Sequence, residues 1–134
     1  MTASQTAALT RNQELVLSAL AKAPGPMSAY SILDELRDDG FRAPLQVYRA
    51  LDKLQQYGLV HRLESLNAFV ACSHPGPDTH GAMAFSICEK CGSVTEFADD
   101  DAVRTLGRWA KRSRFRVNSA MIELKGLCEG CAAA

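Results

Sequence analysis

The chain has 134 residues, no net charge and 47% apolar residues, which suits one ordinary domain or two very small ones and excludes a disordered chain. Its apolar runs are shorter than the roughly 20 residues that cross a bilayer. The first segment, MTASQTAALTRNQE, has no basic stretch ahead of an apolar one and does not read as a secretory signal. The expected location is therefore the cytoplasm, with no membrane among the partners. Acids and bases balance in each half when the chain is divided at Cys72. That argues against a generic polyanion binder, though a nucleic-acid reader with cations on one face remains compatible.

Along the chain, Thr10 and Gln13 form a capping-box pattern ahead of Leu15, Leu17 and Leu20, which predicts a first helix. The segment APGPM breaks it. Ser28 is placed to cap a second helix whose Ile32, Leu33 and Leu36 share a face, and Asp39-Gly40 ends it. A third helix begins near Pro44, with Val47, Ala50, Leu51 and Leu54 on one side and Gln46, Tyr48, Arg49, Asp52 and Lys53 on the other. Gly58 terminates it. Two β-prone runs in LVHRLESLNAFVAC flank a Glu-Ser-Leu-Asn turn, a hairpin pattern.

Three helices and a hairpin read as a winged helix-turn-helix, with the third helix in the DNA major groove and the hairpin as the wing. The plainer alternative is a small α+β domain whose third helix has an ordinary solvated face. After a segment rich in Pro, Gly and Asp (SHPGPDTHG), AMAFSI and SVTEF read as strands. Asp99 to Asp101 open a helix reaching about Arg112, its acids and bases arranged to suit the helix dipole. FRVNSAMIELKG reads as a third strand. The expected fold is thus α+β: a winged helix over residues 1–72, a hinge over 73–82, and a small β-β-α-β unit over 83–134.

Two Cys-x-x-Cys pairs dominate the second half. In a reducing compartment disulfides are disfavoured, and five cysteines fit poorly with a closed disulfide framework. A thioredoxin-like redox site lacks its βαβ surroundings. Four thiolates, from Cys88, Cys91, Cys128 and Cys131, instead make a closed structural zinc site. The 36 residues between Cys91 and Cys128 leave room for a helix and a strand that fold the pairs together. Gly92 and Gly130 are expected to let the thiolates converge in tight turns. So small a sheet cannot stabilise itself by burial alone, and metal ligation supplies the missing free energy.

Cys72 is left over. With His61, His80 and Glu96 it offers a thiolate, two imidazoles and a carboxylate, a plausible mixed zinc set. His74 competes with His80. The alternatives are ordinary ones: a buried thiol behaving as a small hydrophobe, a solvent-facing wing histidine and an exposed strand carboxylate.

The segments SAYSILDEL, VYRALDKLQQYGLVHRLES, NAFVAC, THGAMAFSICEKCGSVTEF and GLCEGC resemble the ferric uptake regulator family, from about Thr10 to Cys131. Within it they are most similar to the zinc uptake regulator branch. The resemblance implies a homodimeric winged-helix repressor that binds double-stranded operator DNA when metal-loaded. It implies structural zinc at Cys88, Cys91, Cys128 and Cys131, and regulatory zinc at His61, Cys72, His80 and Glu96, about two Zn2+ per subunit. It also implies DNA contacts from Tyr30, Tyr48 and Arg49. Gln46 stands where the family usually has Thr.

Two rivals within reach are a family member sensing iron, manganese or peroxide, and a zinc-stapled protein-interaction module. Cys72 favours zinc over a hard cation. A deaminase-type enzyme is rejected, because neither Cys pair follows Pro and His80 is followed by Gly-Ala rather than x-Glu. No enzymatic activity and no small-molecule substrate are expected.

Overall fold

The structure, a computed structural model, describes residues 9–72, 82–97, 100–118 and 120–133. The chain divides into two compact units, Met1–Pro75 and Gly76–Ala134.

The first unit contains α1 (Arg11–Lys22), α2 (Ala29–Glu35), a single 3-10 turn (Arg37–Asp39), α3 (Pro44–Gln56), β1 (Val60–Leu63) and β2 (Ala68–Ala71). Thr10 and Gln13 close a reciprocal capping box at the start of α1, satisfying amide groups that the helix itself leaves open. The face that α1 buries is carried by Val16 and Leu20. Leu15 and Leu17 are only half-buried against it, because residues i and i+4 share a helical face and the odd-numbered leucines flank it.

Ser28 caps α2 by accepting from the Ser31 amide at 3.1 Å. Helix α2 stops at Glu35, and the 3-10 turn carries the chain to Gly40. In α3 the stripe Val47, Ala50, Leu51 and Leu54 is buried as the periodicity requires, with Pro44 at its first turn. The carbonyl Oε1 of Gln46 accepts from the backbone amides of Arg42 and Ala43, at 2.6 and 3.0 Å, and so performs the capping that Ala43 has no side chain to do. Gly58, at φ +75°, turns the chain out of α3 in the left-handed conformation that costs glycine least.

β1 and β2 pair antiparallel in the register His61↔Val70 and Leu63↔Ala68. Asn67 takes a left-handed conformation in the turn, which Asn tolerates better than most residues. The segment APGPM does more than break the chain: Met27 and Phe69 exchange two backbone hydrogen bonds at 3.0 and 2.8 Å, tying the hairpin to the helices.

The second unit contains β3 (Ala82–Cys88), β4 (Val94–Phe97), α4 (Asp100–Arg112), β5 (Ala120–Gly126) and the short α5 (Glu129–Ala133). The sheet order is β4-β3-β5, antiparallel between β3 and β4 and parallel between β3 and β5. A parallel pair needs a crossover, which β4 and α4 provide. Strand β5 is shorter than the sequence pattern predicts, since residues 115–118 lie outside it and are exposed. Among the described residues no helix is long and apolar enough to cross a membrane.

Leu51 has no solvent exposure at the centre of the first unit's core. Leu51→Ala is expected to cost about 2–5 kcal/mol, read as a lower denaturation midpoint for the first unit with zinc content unchanged. A shift under about 0.5 kcal/mol, the ordinary size for a surface change, would contradict this packing.

Candidate metal centre and nucleic-acid interface

The parallel register sets Cys88 opposite Gly126. Both strands end there, so the first Cys-x-x-Cys pair begins at the last residue of β3 and the second just past β5, at the same end of the sheet, and the Glu89 amide extends the pairing by donating to the Gly126 carbonyl at 2.8 Å. Past β3 the chain reverses: the Gly92 amide donates to the Cys88 carbonyl and the Cys88 amide to the Ser93 carbonyl, both at 2.9 Å. Gly92 sits at φ +79°, so an L side chain there would be strained. The second pair converges differently from expectation. Gly130 lies within α5, and helical winding, begun by the Ala132 amide donating to the Cys128 carbonyl at 2.8 Å, brings Cys131 back beside Cys128.

The result is four sulfurs, of Cys88, Cys91, Cys128 and Cys131, all within 4.8 Å of one another. All five cysteines are free thiols. A zinc–thiolate bond of about 2.3 Å in a tetrahedron requires sulfur–sulfur edges of about 3.8 Å, and the Cys91 and Cys128 sulfurs are 3.8 Å apart. Donor number, donor type and spacing therefore fit zinc. These cysteines would hold it in a closed site, with no position left for a reacting water.

The polypeptide prepares the thiolates unequally. Backbone amides of Cys91 and then Cys128 aim at the Cys88 sulfur and lower its pKa from 9.0 to about 5; the Cys91 amide is 3.4 Å away. The Ser93 hydroxyl, 3.2 Å from the Cys91 sulfur, lowers that pKa also. Nothing in the cysteine spacing revealed Ser93, although it stands two residues beyond Cys91. Cys131 moves the other way, to about 12, because it shares protons with Cys128 and Cys88 and is partly desolvated.

In the first unit, His61 on β1 and Cys72 just past β2 each offer a ligand atom within 4.8 Å of the other, and both are half-buried. The Cys72 amide donates to the Leu59 carbonyl at 2.8 Å, so the thiol is anchored to the wing. Glu96 lies on β4 of the second unit, half-buried and opposite Phe85. His80 and its competitor His74 lie outside the described residues.

Tyr30 is 64% exposed on the first turn of α2, and Tyr48 is 39% exposed on α3. Arg49 is exposed beside Tyr48 and makes no ion pair among the described residues. A groove between α1 and α3 is lined by Thr10, Asn12, Gln46, Arg49, Asp52 and Lys53, among others, a mixed polar wall of two cations, one carboxylate and neutral hydrogen-bonding groups. With its carbonyl committed to the cap, Gln46 presents only amide hydrogens to that groove.

The Ferric uptake regulator family profile matches residues 5–125. Over 124 residues the chain is 37% identical to the zinc uptake regulation protein of Escherichia coli (strain K12), covering 92% of this chain and 72% of that one. Among solved structures, holo XcZur is 45% identical with a TM-score of 0.83, covering 94% of this chain and 87% of that one. A zinc uptake regulator complexed with zinc and DNA is 36% identical with a TM-score of 0.86, covering 93% and 83%. The fold, at 21% identity and a TM-score of 0.64, extends to the ferric uptake regulator of Helicobacter pylori, covering 94% of this chain and 83% of that one.

Two predictions test the cysteine centre. At pH 7 the metal-free site already carries Cys88 as a thiolate, while Cys131 holds its proton. Binding one zinc to all four sulfurs should therefore release fewer than four protons, measured by calorimetry in buffers of differing ionisation enthalpy; release of all four would contradict the depressed Cys88. The stability consequence has a definite sign. Between about 5 and 9.0 the folded chain binds one proton fewer than the unfolded chain at Cys88, so the metal-free form gains stability as pH rises through that window. The Cys131 contribution has the opposite slope from 9.0 to about 12. Separately, Cys91→Ser should strip zinc from the centre and unfold the second unit, seen as loss of zinc by elemental analysis and of β-sheet signal. A Cys91→Ser protein that kept its zinc would refute the ligand assignment.

Proposed function

The chain belongs to the ferric uptake regulator family, and on that premise we propose that it is a zinc-responsive transcriptional repressor, which binds double-stranded operator DNA as a metal-loaded homodimer and controls zinc uptake genes. It acts by binding rather than by catalysis. Residues 1–72 form the DNA-binding domain, 73–82 the hinge, and 83–134 the dimerisation and metal-binding domain. Support for zinc and DNA as ligands comes from the relatives, one named for zinc uptake regulation and one described in complex with zinc and DNA. The single observation on this chain that carries the reading is Cys72 beside His61 at the end of the wing: a soft thiolate and an imidazole, which select zinc over manganese or magnesium.

Dimerisation is supported by apolar surface that the second unit leaves open. Val103, Leu106 and Trp109 of α4, Phe115 beyond it, and Met121 and Leu124 of β5 are all exposed. Val103, Leu106 and Trp109 form one stripe along α4, and open apolar side chains of this size suit a partner surface. Strand β5 is also an edge of the sheet, with unpaired backbone groups that a second copy can meet.

The two zinc sites divide the labour. Cys88, Cys91, Cys128 and Cys131 hold structural zinc and keep the second domain folded. His61, Cys72, His80 and Glu96 are the regulatory ligands, making about two zinc ions per subunit. A zinc bound to these four supplies a cross-link between wing, hinge and second domain. The ligating side chains then restrict the hinge, and a larger fraction of dimers holds its two reading helices at the operator's spacing. Apparent operator affinity rises with that fraction, and operator binding in turn tightens the regulatory ligands on their metal by the same factor. On the DNA, Arg49 and Tyr30 touch bases or sugars, and Tyr48 makes a contact beside them.

Arg49→Ala should weaken operator binding by about 5- to 150-fold, the equivalent of roughly 1–3 kcal/mol for one arginine–base contact. Fold and zinc content should be unchanged; undiminished operator affinity in a gel shift would remove α3 as the reading element. Cys72→Ser should leave a folded dimer with one zinc fewer per subunit and an operator affinity that no longer responds across a buffered zinc series. His80→Ala should reproduce that loss and His74→Ala should not. Full zinc stoichiometry and a normal zinc response in Cys72→Ser would place the sensor elsewhere.

A further inference from the structure

Between Ala102 and Ile122 the sequence holds six cations, Arg104, Arg108, Lys111, Arg112, Arg114 and Arg116, and no acid. Four of them lie on α4, at positions i, i+4, i+7 and i+8, which share one face of a helix. Val103, Leu106 and Trp109 occupy the opposite side. The cationic face is therefore turned away from the apolar stripe, and stays in solvent when that stripe is covered. The Asp101 carboxylate contacts Arg104 at 3.4 Å, and Arg108 donates to the Thr105 hydroxyl at 3.3 Å. Lys111, Arg112, Arg114 and Arg116 make no ion pair among the described residues.

The helix dipole accounts for Lys111 and Arg112 in the last turn but not for the rest. Arg104, Arg108 and Arg112 repel one another at i, i+4 spacing, an arrangement that an exposed helix selected only for solubility relieves with interspersed acids. A second observation points the same way. Helix α4 ends in a Schellman turn: the Phe115 amide donates to the Ala110 carbonyl at 2.8 Å and the Arg114 amide to the Lys111 carbonyl at 3.2 Å, and Phe115 packs back on Trp109 with ring centroids 5.9 Å apart. The left-handed residue of that turn, where glycine costs least, is Arg114 at φ +53°. A cation occupies the one position in the turn where a side chain is least welcome.

We propose that the outer face of α4 and the turn after it form a second nucleic-acid surface, which binds the phosphates of duplex DNA without regard to sequence through Arg104, Arg108, Lys111, Arg112 and Arg114. A row of guanidinium groups about 6 Å apart along the helix meets the regularly spaced charge of a phosphate backbone, and offers nothing that distinguishes one base from another. This surface is separate from the operator-reading face of α3 and goes beyond it: it adds affinity and salt dependence, not specificity.

The test uses the full zinc-loaded chain and a random-sequence duplex, with binding followed by fluorescence anisotropy over a salt series. Replacing Arg108, Lys111 and Arg112 together by Gln removes three phosphate contacts. The slope of log affinity against log salt should become shallower by about 2.7, at roughly 0.9 per contact. The ratio of operator to random-duplex affinity should stay as in wild type. Arg49→Ala separates this surface from the operator reading, since it should lower that ratio while leaving the Gln variant's slope change intact. Circular dichroism and zinc content check the fold, and a second variant, Arg104→Gln with Arg114→Gln, should show a proportionate change of about 1.8. An unchanged slope and random-duplex affinity in both variants would overturn the proposal.

Discussion

The parallel pairing of β3 with β5 is the constraint from which the second unit follows. Its register puts Cys88 across from Gly126, and that single alignment decides that two Cys-x-x-Cys turns far apart in sequence open at the same end of one sheet. Four thiols so placed cannot all ionise without repulsion, as the divergent pKa shifts of Cys88 and Cys131 show. A divalent cation held by the four would offset half of their negative charge. Among the described residues, the buried side chains of this unit are Ala84, Phe85, Ile87, Cys88 and Ala110, a small core by itself. The register assembles four thiols that could hold a metal ion, and an ion held there would brace the parallel pair.

The first unit depends on ordinary packing instead. Val16, Ile32, Phe41, Val47, Leu51 and Leu54 fill its interior, and helix caps on α1, α2 and α3 satisfy the amide groups at the three starts. The contrast has a physical logic. A three-helix core buries enough apolar side chains to hold itself, whereas a small sheet with few buried side chains is the kind of unit that a bound metal stabilises.

Much of the architecture could be read in the sequence because it is written in local signals. The capping box at Thr10, the Ser28 cap, the apolar stripe of α3 and the Glu-Ser-Leu-Asn turn each depend on residues within one or two helical turns of each other. What could not be read is long-range or competitive. Leu15 and Leu17 carry the same composition signal as Val16, and only packing against α3 decides which faces inward. FRVN is β-prone by residue type, but the Schellman turn at Arg114 and the return of Phe115 onto Trp109 keep it out of the sheet. For the cysteine centre, which four cysteines come together was legible from spacing, while the parallel register and the helical winding around Gly130 were not, because strand pairing and short helices have no local signature. The cations of α4 were legible as residues but read as dipole partners; their segregation from the apolar stripe emerges only with the helix ends fixed.

In the first unit the Leu59 amide donates to the Leu54 carbonyl of α3, and the Leu59 carbonyl in turn accepts from the Cys72 amide, at 2.9 and 2.8 Å. The backbone of one residue therefore clamps the end of α3 to the end of the hairpin. Cys72 is thus tied to α3 through a single intervening residue. Neither bond uses a side chain: exchange the side chains of Leu59 and Cys72, and the backbone joint between α3 and the hairpin can persist with different chemistry presented at its end.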